Sequence, residues 1–230
     1  MDPRVRQLLE DPDGVMRCYG AVIKSTDTIT IWQNGQVVIK RWCPATIGAV
    51  VKNLFRPSYA LRAFHKACRL EAAGIATARP IAAVDRRAWG VLRASYFVME
   101  SIGGAIDLGS CRKRSAQAIG EVARLLGRLH EAGFTHRDLK PTNILFDRSG
   151  RAYLIDLEGI RVKGQVRKEQ AVGDLAKLAR RMIELATLSP AEAASFLRQY
   201  CDSRGERRRL WWWQQILKRL ADYLPEFAVR

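Results

Sequence analysis

The sequence predicts an α+β fold in two parts, strand-rich over residues 1–102 and mostly helical over residues 103–230. Three observations predict it. Short runs rich in Val, Ile, Thr and Trp crowd the first hundred or so residues. Ser101-Ile102-Gly103-Gly104 then interrupts the pattern and reads as a hinge. Beyond it, apolar residues recur at helical spacing. With 48% of its residues hydrophobic, the chain can bury a core in one domain or in two small lobes sharing a cleft.

Each element has a local reason. Gly20–Lys24, Thr28–Trp32 and Gln36–Trp42 read as strands, and Asn34-Gly35 marks a hairpin because both residues tolerate the positive φ of a tight turn. Ser58 opens a helix with Leu61, Phe64, Cys68 and Leu70 near one face, and Gly74 stops it. Two further strands fall near Ile81–Val84 and Ser95–Met99. Ser115 caps a helix whose stripe is Ile119, Val122, Leu126 and Leu129, ending at Gly133. Ile144–Phe146 and Ala152–Ile155 form a hairpin around the turn Asp147–Gly150. Asp174 begins a helix with Leu175, Leu178, Met182 and Leu185 on its stripe. Ser189-Pro190-Ala191-Glu192 is a capping box with Pro at the first helical position. Leu210, Trp213, Leu217, Leu220 and Leu224 give a last amphipathic stripe.

Charge narrows the partners. Lys and Arg total 39 against 23 acidic residues, a net +16, which favours nucleic acid, an anionic membrane surface or a phosphorylated substrate. The five cysteines (18, 43, 68, 111 and 201) are odd in number and form no close pair. They read as free thiols of a reducing compartment, buried as small hydrophobes. His65 and His130 read as packed core histidines. The N-terminal Met-Asp-Pro-Arg-Val-Arg lacks the apolar stretch of a signal peptide, and no apolar run is long enough to span a bilayer. The expectation is a cytoplasmic protein whose membrane contact is at most peripheral.

The chemistry concentrates in one segment. The hairpin Ile144–Phe146/Ala152–Ile155 brings Asn143, before its first strand, close to Asp156, after its second. Asp138 lies just upstream, in a loop stiffened by Pro141. Two oxygen donors for a hard cation and a third carboxylate for proton chemistry thus converge, the sparse ligation that Mg²⁺ accepts when phosphates and water complete it.

His136-Arg137-Asp138-Leu139-Lys140-Pro141-Thr142-Asn143 resembles the protein-kinase catalytic loop at every fixed position. Asp156-Leu157-Glu158-Gly159 stands where kinases carry Asp-Phe-Gly, and Val37-Val38-Ile39-Lys40 resembles the strand of the phosphate-binding lysine. The resemblance implies a bilobal protein-kinase-like fold, with a small antiparallel-sheet N-lobe and a reduced, helical C-lobe. It implies ATP and Mg²⁺, with Asp138 as catalytic base and Lys140 neutralising charge on the transferring group. Asn143 and Asp156 would hold the metal, and Lys40 and Glu100 would bind the nucleotide. His136 and Arg137 would brace the loop, and Asp174 resembles the buried aspartate that holds its backbone.

Three features depart from that pattern. No Gly-x-Gly-x-x-Gly is present; Lys24-Ser25-Thr26-Asp27-Thr28 fills the equivalent turn. The helix after Ser58 places Ala63 or a neighbour where a glutamate should meet Lys40, with Glu71 too near the helix end. The interval from Asp156 to Asp174 is short and lacks the Ala-Pro-Glu anchor of a peptide-docking segment, which favours a small-molecule or glycolipid acceptor. Phe55–Phe64, Gly74–Ala82, Ile155–Gly159 and Gly173–Leu178 together resemble the bacterial lipopolysaccharide core kinases of Kdo and heptose type. That family implies phosphorylation of a sugar hydroxyl on a lipopolysaccharide core glycolipid, at the inner face of the inner membrane, with no nucleic-acid partner. Arg207-Arg208-Arg209 beside Trp211-Trp212-Trp213 combines basic charge with interfacial aromatics, which leaves two readings open: contact with an anionic membrane, or Trp213 packed in the core with the arginines solvated. A protein Ser/Thr kinase with a shortened activation segment and a non-catalytic binding module are the alternatives.

Overall fold

A computed structural model describes residues 6, 10–18, 20–44, 46, 48, 56–111 and 115–224. Most of the N-terminal stretch read for a leader, and Phe55 of the family pattern, lie outside the described residues. The chain divides into two compact units, Met1–Arg69 with Ala78–Gly103, and Leu70–Thr77 with Gly104–Arg230.

The first unit is built on an antiparallel sheet of five strands: β1 (Ala21–Ser25), β2 (Ile29–Gln33), β3 (Val37–Trp42), β4 (Pro80–Ala88) and β5 (Val91–Glu100), in the order β1-β2-β3-β5-β4. Asn34 closes the β2–β3 turn, its Oδ1 accepting from the amides of Gln36 and Val37. Helix α1 (Pro12–Cys18) packs Val15 and Met16 on the sheet face of Trp32, Ile39, Tyr96 and Val98. Helix α2 (Tyr59–Ala72) takes the other face, where Phe64 meets Phe97 edge-on and Tyr59 stacks on Trp42. Ser58 caps it by accepting from the Leu61 amide, worth about 1 kcal/mol. Of the expected face of α2, Leu70 is buried and Phe64 packs on the sheet, while Leu61 and Cys68 are half-buried; the other buried positions are Ala60, Ala63 and Ala67. The β4 and β5 strands are longer than their apolar runs indicate, since main-chain pairing continues through Arg86 and Arg87 to Ala88, with a bulge that leaves Arg93 out of register.

The second unit is helical around three short pairings. Strands β6 (Ile106–Asp107), β8 (Ile144–Phe146) and β9 (Ala152–Leu154) form one sheet; β7 (Phe134–His136) pairs with β10 (Ile160–Val162). Helix α3 (Ala116–Glu131) starts at Ser115, which accepts from the Ala118 amide, and packs along α5 (Pro190–Ser203). Helix α4 (Lys168–Glu184) packs along α6 (Arg209–Ala221). Both bonds of the Ser189–Glu192 capping box are present. Helix α4 begins at Lys168, so Asp174 sits inside it and not at its start; the acidic side chain is a buried anchor, not a cap.

Several burial expectations are corrected. His65 is exposed on α2, whereas His130 is buried. Of the cysteines only Cys201 is buried; Cys18 is exposed at the end of α1. In α6, Leu210 is exposed while Trp212 is fully buried against Tyr200. Trp211 stands edge-on to Trp212, and Trp213 lines an apolar cavity of about 80 Å³ with Leu175, Met182 and Phe196. Of the Trp211–Trp213 block, Trp212 is thus packed inside and Trp211 and Trp213 are half-buried.

Candidate active site

The catalytic-loop segment is held by main-chain bonds before its side chains act. The Arg137 amide donates to the Gly159 carbonyl at 2.8 Å, continuing the β7–β10 pairing. Pro141–Asn143 forms a 3₁₀ turn, with Pro at the first position, where a missing N–H costs nothing. Asn143 is buried and its Nδ2 donates 3.0 Å to the Asp138 carbonyl, which leaves Oδ1 as the acceptor of that side chain. The Ile155 amide donates to the Asn143 carbonyl at 2.9 Å, so β8–β9 pairing puts Asp156 one residue beyond a direct neighbour of Asn143.

Asp156 adopts the left-handed conformation, φ 59° and ψ 59°. Aspartate tolerates this better than most residues, at a cost of about 1 kcal/mol. Its carbonyl accepts from the Gly159 amide at 3.2 Å and lies 3.1 Å from His136 Nε2. The imidazole therefore carries its proton on Nε2 and fastens the turn; Nδ1 is buried without a hydrogen bond. The ring lies so close to Gly159 that an added Cβ would sit 2.4 Å from His136 Cε1. The glycine of Asp-x-x-Gly is thus required by the histidine of the catalytic loop. Gly159→Ala is expected to cost roughly 1–3 kcal/mol through overpacking, read as a lower denaturation midpoint, and to lower activity beyond that loss.

Asp138 and Lys140 meet at 3.1 Å, Nζ to Oδ2. The lysine bond holds the Asp138 carboxyl below its usual range, so it is ionised at neutral pH. The pair is about half exposed, and contributes at most ~1 kcal/mol to folding. Its value is positional.

Asp174, 3% exposed, anchors the loop from beneath. Its Oδ2 accepts from the His136 amide at 2.6 Å and lies 3.5 Å from His130 Nε2, while Oδ1 accepts from Lys177 at 3.1 Å. Burial opposes its charge, but the bonds from His130, His136 and Lys177 outweigh this and hold its carboxyl below the ordinary value. His130 Nδ1 is 2.8 Å from Tyr200 Oη, which accepts from Arg204 at 2.7 Å. Arg204 can only donate, so the phenol proton turns to His130 Nδ1, leaving the Nε2 proton to face Asp174. Tyr200 and Arg204 were not legible as site residues, because their partner is 70 positions away and no local pattern marks them.

Burial depresses both His130 and His136 below the ordinary imidazole value. Below about pH 6.5 the unfolded chain takes up protons that the folded chain refuses, so stability falls as pH drops. Denaturation from about pH 7.5 to about pH 5.5 is expected to lose up to about 1.4 kcal/mol per buried histidine. The Asp174 contribution persists in this window and is lost only as pH falls through its depressed folded value.

The remaining candidates lie in the first unit. Lys40 is paired with Ile31 and Phe97, on the sheet face that α2 covers. Its Nζ stands 5.0 Å from the Trp42 ring centroid, and Ala63 is buried on that helix. Glu100 ends β5; its amide donates to Arg79 O and its exposed carboxylate meets Arg79 at 3.3 Å. In the turn that replaces a glycine loop, the Thr26 amide donates to Ile29 O and Thr26 Oγ1 accepts from Ile29 N, so both groups close the turn.

Among the described residues no three His, Cys, Asp or Glu side chains cluster for a metal. Asn143 Oδ1 and the Asp156 carboxylate are hard oxygen donors, and two such donors suit Mg²⁺, which keeps water and substrate phosphates as its other ligands.

The profile of the "Lipopolysaccharide kinase (Kdo/WaaP) family" matches residues 37–200. The chain belongs to this family. Among curated relatives of this Kdo/WaaP chain, a 3-deoxy-D-manno-octulosonic acid kinase of Xylella fastidiosa is 29% identical over 116 residues, 49% of this chain and 45% of that protein. The Stenotrophomonas maltophilia protein of the same name is 35% identical over 111 residues, 46% of this chain and 43% of its own length. The chain thus spans less than half the length of these relatives. A Caenorhabditis elegans serine/threonine-protein kinase WARTS homolog is 33% identical over 128 residues, covering 48% of this chain and 14% of that protein. Of solved structures, "WaaP in complex with acyl carrier protein" superposes with a TM-score of 0.68 at 21% identity, covering 99% of this chain and 98% of that one. WbdD superposes at 0.53 and 16% identity, over 87% of this chain and 46% of that one. These likenesses show the fold: an antiparallel-sheet N-terminal part and a helical C-terminal part of kinase type.

Proposed function

We propose that this chain is an ATP-dependent kinase that phosphorylates a sugar hydroxyl of the lipopolysaccharide inner core. The observation that carries the reading is the ionised, half-exposed Asp138 held by Lys140 and fixed through its own carbonyl to Asn143, beside the Asp156 turn. In this reading residues 1–102 and 103–230 are the nucleotide-binding and catalytic lobes of one domain. Asp138 accepts the proton of the acceptor hydroxyl as the hydroxyl oxygen takes the γ-phosphoryl group of ATP and ADP leaves. Lys140 offers a positive charge to the transferring phosphoryl group. Asn143 and Asp156 would hold Mg²⁺, which supplies charge neutralisation on the phosphates. Lys40 would contact the α- and β-phosphates, with Glu100 on the nucleotide side.

The acceptor class is supported by the segment after Asp156. A 3₁₀ turn, β10 and the start of α4 at Lys168 use it up, leaving little chain for a peptide platform. Family membership and the +16 charge point the same way, toward an anionic phosphorylated glycolipid at the inner face of the inner membrane. No nucleic-acid partner is needed to account for the charge. Among the described residues no helix is long and apolar enough to cross a membrane.

The test is phosphoryl transfer by the purified chain, with ATP and Mg²⁺, to Kdo-bearing lipid A or to casein, read by mass spectrometry. The expected result is one added phosphate on the glycolipid sugar. Faster transfer to casein would overturn it in favour of a protein Ser/Thr kinase. Nucleotide binding with transfer to neither would leave a binding module.

A further inference from the structure

The β4–β5 hairpin ends in the two-residue turn Trp89-Gly90, closed by pairing of Ala88 with Val91. Both turn residues have positive φ, 52° for Trp89 and 76° for Gly90. Positive φ is ordinary for glycine and a strain for a bulky side chain. The Trp89 side chain is also 99% exposed, the most exposed large hydrophobic among the described residues. Neither its backbone nor its burial accounts for a tryptophan here.

Its surroundings are basic. Arg87 ties the turn together, donating to Gly90 O at 3.2 Å and to Asp85 at 3.1 Å. Arg86 and Arg93 are exposed, and neither has an ion pair among the described residues. Pairing of β5 with β3 ends at Ser95, so the tip continues past the last three-strand register. The result is a two-stranded finger with an indole at its end and unpaired guanidinium groups behind it.

We propose that this fingertip is a docking point for an anionic lipid bilayer, with the Trp89 indole at the headgroup level and Arg86 and Arg93 on lipid phosphates. The indole joins an apolar body to a polar N–H, which suits the membrane–water interface. A protein partner is less well matched. A stable protein interface needs roughly 800 Å² from each side, far more than one tryptophan at a narrow tip supplies. A planar charged surface needs only the anchor and the field, and the whole chain carries +16. The surface differs from the arginine–tryptophan block at α6, where Trp212 is packed inside. It stands apart from the kinase reading, because docking needs neither nucleotide nor sugar acceptor.

The experiment is co-sedimentation of the full chain with phosphatidylcholine vesicles, with and without phosphatidylglycerol, in the absence of ATP. Wild type is expected to bind only the anionic vesicles, and to release as salt rises. Arg86→Gln with Arg93→Gln is expected to weaken binding by roughly five-fold per arginine. Trp89→Gly should weaken it by on the order of ten-fold, and should raise the thermal midpoint by removing the positive-φ strain, so that lost binding cannot be assigned to unfolding. Brominated lipid should quench a part of the wild-type fluorescence that is missing from Trp89→Gly. Undiminished vesicle binding by Trp89→Gly overturns the proposal, and so does a change in oligomeric state in place of vesicle binding.

Discussion

If Asp138 is the base of the proposed sugar-kinase reaction, Asp138→Ala lowers kcat for glycolipid phosphorylation by about 10²–10⁴-fold, the usual contribution of a positioned general base. Nucleotide affinity should stay near wild type. The reason is in the main chain: Asn143 is anchored to the Asp138 carbonyl, not to its carboxylate, so the substitution leaves Asn143 in place. Lys140 loses its partner but stays partly exposed, so little folding stability goes with it. Steady-state kinetics with calorimetry of nucleotide binding separates the two effects. A variant within about ten-fold of wild type would remove Asp138 from the base role.

Asp174→Ala should give the largest loss of stability, about 3–5 kcal/mol, with a fall in thermal midpoint of roughly 10 °C. The buried carboxylate accepts from the His136 amide and from Lys177, with His130 Nε2 at 3.5 Å. Its removal leaves a buried amide unpaired and His130 facing an empty space. The chain from Arg204 through Tyr200 to His130 then ends without its acceptor. Asp174→Asn retains an oxygen for the His136 amide and should lose less. Thermal and chemical denaturation of both variants read the difference. Equal losses would mean that charge, not the hydrogen bond to the loop, is what Asp174 supplies.

Much of the fold was legible because its signals are short in range. Asn34-Gly35 makes its turn wherever strands flank it, and Ser58, Ser115 and Ser189 each cap a helix through an amide three residues on. Asn143 and Asp156 could be paired on paper because one hairpin separates them. Other features had no local mark. The buried face of α2 is a stripe of small residues, Ala60, Ala63 and Ala67, whose burial depends on what packs there and not on any apolar spacing. The Trp89-Gly90 hairpin was hidden, since neither its charged strands nor its tryptophan turn resembles the usual pattern. The sequence left open whether the tryptophans of α6 pack or face an interface; Tyr200 buries Trp212, and Trp213 lines the cavity between α4 and α5.

What the sequence by itself determined is therefore the order of elements, the kinase-like loop from His136 to Asn143, and the backbone proximity of Asn143 to Asp138 and to the Ile155-Asp156 segment through one tight hairpin. Backbone propensity, capping and turn chemistry act over a few residues, and a single chain displays them openly. What only the tertiary structure decided is how that loop is held. His136 fastens the left-handed turn at Asp156, Gly159 leaves room for the imidazole, and Asp174 ties both to Tyr200 and Arg204. Those contacts join residues up to 70 positions apart. Their strength comes from burial, and burial exists only once the helices have packed.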